Sequence, residues 1–543
     1  MMELPRRGLS KEQIASKLEA FARHDAASGE GRSFAYTYDA GQEVEAVARE
    51  AYLAFMSKNA LDPTYVPSVL TLENQVVSMA AAHLGGDDQT VGTFTSGGTE
   101  SIILAVKTAR DYFRKVRPDI RAPEMVLPET AHAAFHKAAH YLDVKPVLTR
   151  VDPVTFRADP EQMRRAITGQ TILLVGSATS YAHGVVDPIV ELGRLALEHG
   201  LLLHVDACIG GFLLPYFKRL GAEIPDFDLR VPGVTSISMD LHKYAYAPKG
   251  ASVVLYRSME LRRHQIFACA EWTGYTVVNT TVQSTKGAGP LAGAWAVLCF
   301  LGDEGYERLA RELYQAKERL VEGIEATPQL RLLARPDMPL IAFTADRVNV
   351  FHVVDEMNRR GWHVQPQLRL GDCPENIHLS VNPNNLPHIG ALLADLRDVV
   401  ATVRARPRGK LARVVSATFG RLDPDGLDDA VFAKLIGTAG IKSVGVPEQM
   451  AGINDIMNLL PPRLAERLLI EYVNRLFVHP GADATRGLSS TPHPLPTGPR
   501  GENGARRAPR PSWTALPGLG RAWDLALGLR GLHKRLGLPL PRR

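Results

Sequence analysis

The chain has 543 residues and a mass of 59.4 kDa, enough for two to four folding units at roughly 100–200 residues each. Apolar residues make up 45% and charged residues 22%, the balance of a globular chain rather than a disordered or fibrous one. The formal charge of +5 divides into +8 over the last 63 residues and −3 over the first 480, so the mildly acidic body gives no reason to expect nucleic-acid binding.

Four well-separated cysteines (Cys208, Cys269, Cys299 and Cys373) form no CxxC pair. That pattern excludes a disulfide framework and a zinc ribbon, leaves no metal site to expect, and fits a reducing cytoplasm. The opening MMELPRRGLSKEQ lacks the apolar run of a secretory signal. The most apolar stretch, 291–301, is shorter than the about 20 residues needed to span a bilayer.

Residues 1–70 read as helices and connections. Short β-branched or aliphatic runs follow in the body: TILLVGS (171–177), LLLHVDA (201–207), VTSISMD (234–240) and GASVVLY (250–256). Between the first two, residues 188–199 place Ile189, Leu192 and Leu195 at helical spacing. A strand–helix–strand unit of this kind implies a parallel sheet covered by helices.

A further helix is predicted over 306–324, then shorter strands and helices to about 478. The expected organisation is an N-terminal helical segment (1–70), a large α/β domain (71–304), a C-terminal small domain (305–478) and a Pro/Gly/Arg-rich tail (479–543). The tail's last 63 residues hold 9 Pro and 10 Gly, and it is expected to be largely disordered. Within it, residues 513–540 have the pattern of a basic amphipathic helix suited to weak contact with an acidic membrane surface.

Three elements carry chemistry. Thr95-Ser96-Gly97-Gly98-Thr99-Glu100 leads into a helical pattern, so that glycine backbone, a hydroxyl and a helix N-terminus make a phosphate cradle. His204-Val205-Asp206 is an apolar strand ending in a carboxylate, at the sheet edge where open α/β folds bind ligands. Such a carboxylate pairs with a cationic ring nitrogen, ligates a metal or caps a turn. Ser238-Met239-Asp240-Leu241-His242-Lys243 sets a lysine just past a strand end, placed to condense with an aldehyde. A nearby cation, Lys249, is expected to lower the pKa of that amine. Anchor, acid and amine occur in the order that pyridoxal 5′-phosphate requires.

The motifs TSGGTES, PETAHAAFHKAA, HGVVDP, HVDACIGGF and SISMDLHKYAYAPKGASVVLY resemble those of the sphingosine-1-phosphate lyases. These belong to the group of pyridoxal-phosphate decarboxylases related to glutamate and aromatic amino-acid decarboxylases. The resemblance runs from about Phe34 to Val478. It implies a type I pyridoxal-phosphate fold and a homodimer with shared active sites.

It further implies that Lys243 carries the cofactor, Asp206 keeps its pyridine nitrogen protonated and His132 stacks on its ring. Gly97, Gly98, Thr99 and His242 would hold the phosphate, with Ser284 from the loop that in the lyases reads G-S-R-P-G and here reads Gln283-Ser284-Thr285-Lys286-Gly287. On the substrate side, Tyr38, Asn59, Lys249 and Lys286 match or replace lyase positions. The lyase pattern N-x-L-H-P reads Asn59-Ala60-Leu61-Asp62-Pro63, and a carboxylate at Asp62 is expected to disfavour a phosphorylated substrate. The implied activity is cleavage of a carbon–carbon bond in a phosphorylated amino alcohol. The alternative, amino-acid decarboxylation, would need a group for the substrate carboxylate, for which Lys286 and His183 are the candidates. An alternative of another class is a membrane-surface or partner-binding protein acting through the basic tail.

Overall fold

A computed structural model describes residues 3–23, 25, 30–405 and 449–477; the tail and its amphipathic segment lie outside the described residues. Seven strands make the main sheet: β1 (Val91–Thr95), β2 (Glu124–Pro128), β3 (Lys145–Thr149), β4 (Thr171–Ser177), β5 (Leu202–Asp206), β6 (Val234–Asp240) and β7 (Ser252–Tyr256). They run in the order β1-β7-β6-β5-β4-β2-β3. All neighbours are parallel except β7, which runs antiparallel to both β6 and β1.

The four strands read from sequence appear within two residues of their expected limits, and the helix between β4 and β5 is Ile189–His199. Strands β2, β4 and β7 are buried along their whole length, which is why they are continuous apolar runs rather than alternating ones. The helix Gly98–Val116 packs Ile102, Val106, Ala109 and Phe113 against Met125, Leu127 and Ile172 of the sheet.

A hairpin of β8 (Phe267–Cys269) and β9 (Val277–Asn279) follows. The apolar stretch 291–301 opens the helix Gly289–Glu325, in which Gly302 leaves helical geometry at φ 55°. A four-stranded antiparallel sheet, β10 (Leu330–Leu332), β11 (Leu340–Ala345), β12 (Gln365–Gln367) and β13 (Asn376–Ser380), is ordered β10-β11-β13-β12. Among the described residues, no helix is long and apolar enough to cross a membrane.

One buried acid pins the sheet edge that matters. Asp187, from the HGVVDP motif, has no exposed surface, and its carboxylate accepts from the Ala158 and Ser177 amides at 2.7 Å each. Burial pushes its pKa up to about 6, although both amides and Arg157 favour the ionised form. Ser177 ends β4 directly opposite Asp206 on β5. Asp187→Ala strands two buried amides and is expected to cost about 2–5 kcal/mol in urea unfolding, with Asp187→Asn costing less.

Candidate functional site

The parallel strands deliver their carboxyl ends to one side of the sheet, and a cavity of about 400 Å³ opens there. Its walls include Gly97, Gly98, Thr99, His132, Asp206, His242, Lys243 and Lys249. Eight of the sequence-derived site residues, from five separate segments, therefore converge.

The anchor is built by exclusion of side chains. Gly97 adopts φ 154°, and a Cβ on Gly98 would stand 2.7 Å from Cys208 Sγ and 2.9 Å from both Asp240 carboxylate oxygens. Only glycine fits there, and the bare backbone is left facing the cavity at the start of the helix Gly98–Val116. The loop is held in shape by Glu100, which accepts from the Ser96 amide at 2.7 Å and the Val282 amide at 2.8 Å.

Asp206 closes β5 with 6% exposure, and its carboxylate accepts from the Cys208 amide at 3.1 Å. His132 sits in the loop after β2, where Nδ1 accepts from the Ala134 amide at 3.1 Å and so leaves the ring proton on Nε2. Lys243 Nζ lies 3.0 Å from Asp240 Oδ2, and His242 Nε2 lies 3.6 Å from the same oxygen. His242 Nδ1 accepts from the Ala251 amide at 3.3 Å. Burial holds this imidazole below its ordinary pKa, with Lys249 and Lys243 acting the same way against Asp240.

Here one expectation is corrected. Burial pulls the Lys243 ammonium down, yet Asp240 at contact distance outweighs it and holds the pKa well above the ordinary value. Lys249 is instead the lowered amine, through burial and the charge of Lys243. Spacing along the chain could not show this, because Asp240 acts across one turn of backbone after the strand end.

Lys249 also lines an adjoining cavity of about 510 Å³, with Tyr38 among its walls. Its ammonium sits 4.7 Å from the Tyr38 ring centroid, and Tyr38 meets Tyr244 edge-on at 5.3 Å. Burial drives the Tyr38 phenol well above its usual pKa.

Four expected residues, Asn59, Asp62, Ser284 and Lys286, line neither the cofactor-sized cavity nor the adjoining one. The segments that carry them meet elsewhere, at residues 58–60 and 286–288: Asn59 and Gly287 form an antiparallel bridge, the Ala60 amide donates to Lys286 O at 2.8 Å, and Ala288 donates to Lys58 O at 3.0 Å. Asp62 is absorbed in a turn, accepting from the Thr64 amide at 2.8 Å and hydroxyl at 2.6 Å. Lys286 lies 3.8 Å from Glu73. Nor does His183 supply a cation, since burial pushes it down to about 4.

Residues missed by sequence reasoning are Tyr181, Thr179, Ser177 and Asp240, all on the cavity wall. Asp240 was visible as a second acid at a strand end; the others follow β4 with no motif to mark them. The Ser177 hydroxyl is buried without a hydrogen-bond partner. A side-chain-free anchor, an acid opposite it, a buried amine and this unpaired hydroxyl fit pyridoxal 5′-phosphate. Gly97, Gly98, Thr99 and His242 would hold its phosphate, Asp206 its ring nitrogen and Lys243 its aldehyde.

Fold and site together define a pyridoxal-phosphate-dependent lyase of the type I fold. The chain belongs to the pyridoxal-dependent decarboxylase family, whose conserved-domain model matches residues 2–346. A second model, for a C-terminal domain of pyridoxal-dependent enzymes that carries the label HTH, matches residues 412–475. The chain is 41% identical over 435 residues to the sphingosine-1-phosphate lyase of Arabidopsis thaliana, covering 78% of each. It is similar to the solved sphingosine-1-phosphate lyase of Burkholderia pseudomallei, with 34% identity, a TM-score of 0.71, and coverage of 78% of this chain and 98% of that one. A Lactobacillus brevis glutamate decarboxylase shares the fold at 19% identity and a TM-score of 0.67, over 75% of this chain and 96% of that one.

Proposed function

We propose that this protein is a sphingosine-1-phosphate lyase-type enzyme, cleaving the Cα–Cβ bond of a phosphorylated long-chain amino alcohol to an aldehyde and a phosphorylated amine. The observation that carries this reading is the cofactor-sized cavity with Lys243, Asp206 and the Gly97-Gly98 anchor, in a chain 41% identical to such a lyase along 78% of its length. When bound, pyridoxal phosphate supplies an electron sink for the bond held perpendicular to its ring.

The chain's own residues do the rest. Asp206 would hold the cofactor's ring nitrogen and favour its protonated form, and Asp240, 3.0 Å from Lys243 Nζ, favours the protonated amine. Lys249, common to both cavities and lowered in pKa, meets a substrate hydroxyl or phosphate beside Tyr38. The cleavage assay uses purified holoenzyme: aldehyde release from phosphorylated long-chain bases supports the reading, and carbon dioxide release from amino acids without aldehyde replaces it with decarboxylation.

The working unit in this reading is a homodimer in the cytoplasm. The bridged loops carrying Asn59, Asp62, Ser284 and Lys286 serve the second copy's site. Support comes from the exposed Phe267, Trp272, Tyr275 and Val282 on and beside the β8–β9 hairpin, a patch suited to burial against a second copy. Sedimentation and cell fractionation check both points. Asp62→His exchanges a carboxylate for a potential cation at an exposed turn. It is expected to raise kcat/KM on phosphorylated bases about tenfold, worth about 1.4 kcal/mol; unchanged kinetics would remove Asp62 from substrate selection.

A further inference from the structure

Three side chains from separate elements each bridge the start of the cofactor anchor to one distant loop. Gln265, 1% exposed, donates through Nε2 to Thr93 Oγ1 at 3.0 Å and to Thr280 O. Glu73, in the helix Pro67–His83, accepts from the Phe94 amide at 3.0 Å through Oε1, and its Oε2 lies 3.8 Å from Lys286 Nζ. Glu100, 8% exposed, spans the Ser96 and Val282 amides with its two oxygens, at 2.7 and 2.8 Å. Each bridge has one end on β1 or the residue that follows it and the other on residues 280–286.

The same loop is clamped on its other side, where Asn59 pairs with Gly287 and the Ala60 amide donates to Lys286 O at 2.8 Å. Asn59, Ser284 and Lys286 therefore belong to a block tied to β1, although none of them lines either cavity beside Lys249 in its own chain.

Two of the bridges need a carboxylate. Its two oxygens accept from two donors at once, whereas a carboxamide has a single acceptor oxygen and turns N–H groups toward the second donor. Glutamine at position 100 keeps the size of the side chain and loses one of the two amides. Glutamine at position 73 keeps the Phe94 bond and loses the charge that faces Lys286.

Order passes along such bridges. A phosphate held by the backbone of residues 97–99 fixes the turn that presents the Ser96 amide, and with it Glu100 and Val282. A ligand that meets a segment already ordered loses less conformational entropy on binding, which makes two sites cooperative.

We propose that Glu73 and Glu100 are positioning residues that join the cofactor anchor of one copy to the loop it supplies to the other copy's substrate site, so that coenzyme in one copy tightens substrate binding in the other. The inference rests on the homodimeric lyase reading for the destination of the loop, while the bridges themselves lie within one chain.

The first measurement needs no substrate. Amide hydrogen exchange across residues 280–288 is followed by mass spectrometry in apoenzyme and in enzyme loaded with pyridoxal phosphate. Loading is expected to slow exchange there about fivefold or more in wild type, and less than about twofold in Glu73→Gln and Glu100→Gln. The second measurement uses hybrid dimers in which one copy is silenced by Lys243→Ala, with pyridoxal phosphate in excess. With Glu73→Gln in the silenced copy, the active site receives the altered loop, and KM for a phosphorylated long-chain base is expected to rise about tenfold with kcat within about twofold. With Glu73→Gln in the active copy, the loop received is native, and KM is expected to stay within about twofold of the hybrid without that substitution. A substitution that merely loosens its own copy gives the opposite pattern. Glu73→Gln decides if Glu100→Gln fails to fold. Exchange that loading leaves unchanged in wild type, a slowing that both variants keep, or equal KM in the two hybrids overturns the coupling. If no phosphorylated base is turned over while loading still slows exchange through Glu73 and Glu100, the bridges stand and the lyase reading is the one that fails.

Discussion

Lys243→Ala removes the absorption band at about 420 nm that marks pyridoxal phosphate joined to an enzyme amine, and lowers kcat by about 10⁴-fold or more. The reason is positional. Lys243 sits three residues beyond β6, in a turn whose lysine amide bonds back to Asp240 O at 3.5 Å, and its amine is buried beside the Asp240 carboxylate. The other lysine on the cavity, Lys249, is directed to the Tyr38 face and to His242 O at 3.4 Å, so it does not take over. Lys243→Arg provides the control for folding, because it keeps a cation beside Asp240 yet cannot condense with an aldehyde. Borohydride treatment of wild-type holoenzyme is expected to fix the coenzyme on the peptide containing Lys243, and on no peptide of either variant. A persisting band in Lys243→Ala would assign the linkage elsewhere and dismantle the site.

Asp206→Ala is expected to retain part of its pyridoxal phosphate while turnover falls about 10²- to 10⁴-fold. Removing one partner of a buried charge pair costs about 3–5 kcal/mol, and each 1.36 kcal/mol is a factor of ten in rate. Asp206 acts from a rigid position, the last residue of a strand flanked in register by Ser177 and Ser238. Its loss therefore alters electrostatics more than shape. Asp206→Asn separates the two contributions, since it keeps the size and a hydrogen-bonding oxygen but not the charge. Turnover within tenfold of wild type in both variants would refute the pyridine-nitrogen role.

The cofactor chemistry was legible in the sequence because each part is local. A glycine pair before a helix, an acid closing an apolar strand and a lysine just after another strand are determined by a few neighbouring residues. Strand ends in a parallel sheet all point to the same side, so order along the chain already implied that these parts meet. The expected limits of the four strands and of the helix between β4 and β5 held for the same reason, with β4 buried on both faces, whereas the helix expected over 306–324 is the second part of Gly289–Glu325.

Substrate-side residues were less legible. Asn59 and Asp62 were read as one group and Ser284 and Lys286 as another, but only folding joined residues 58–60 to 286–288, and away from the cofactor-sized cavity. Nor did sequence show that Lys286 stands beside Glu73 or that His183 is neutral, since both depend on packing across distant segments.

What the amino-acid sequence determined alone, then, is the coenzyme and the short motifs whose residues line the cofactor-sized cavity, with geometry set by local backbone. The tertiary structure decided the ionisation of Lys243 against Asp240 and the bridges by which Gln265, Glu73 and Glu100 tie residues 93–96 to residues 280–286. Those properties arise from through-space distance and burial, which residues so far apart in the chain acquire only when the helices Pro67–His83 and Gly98–Val116 pack beside β1.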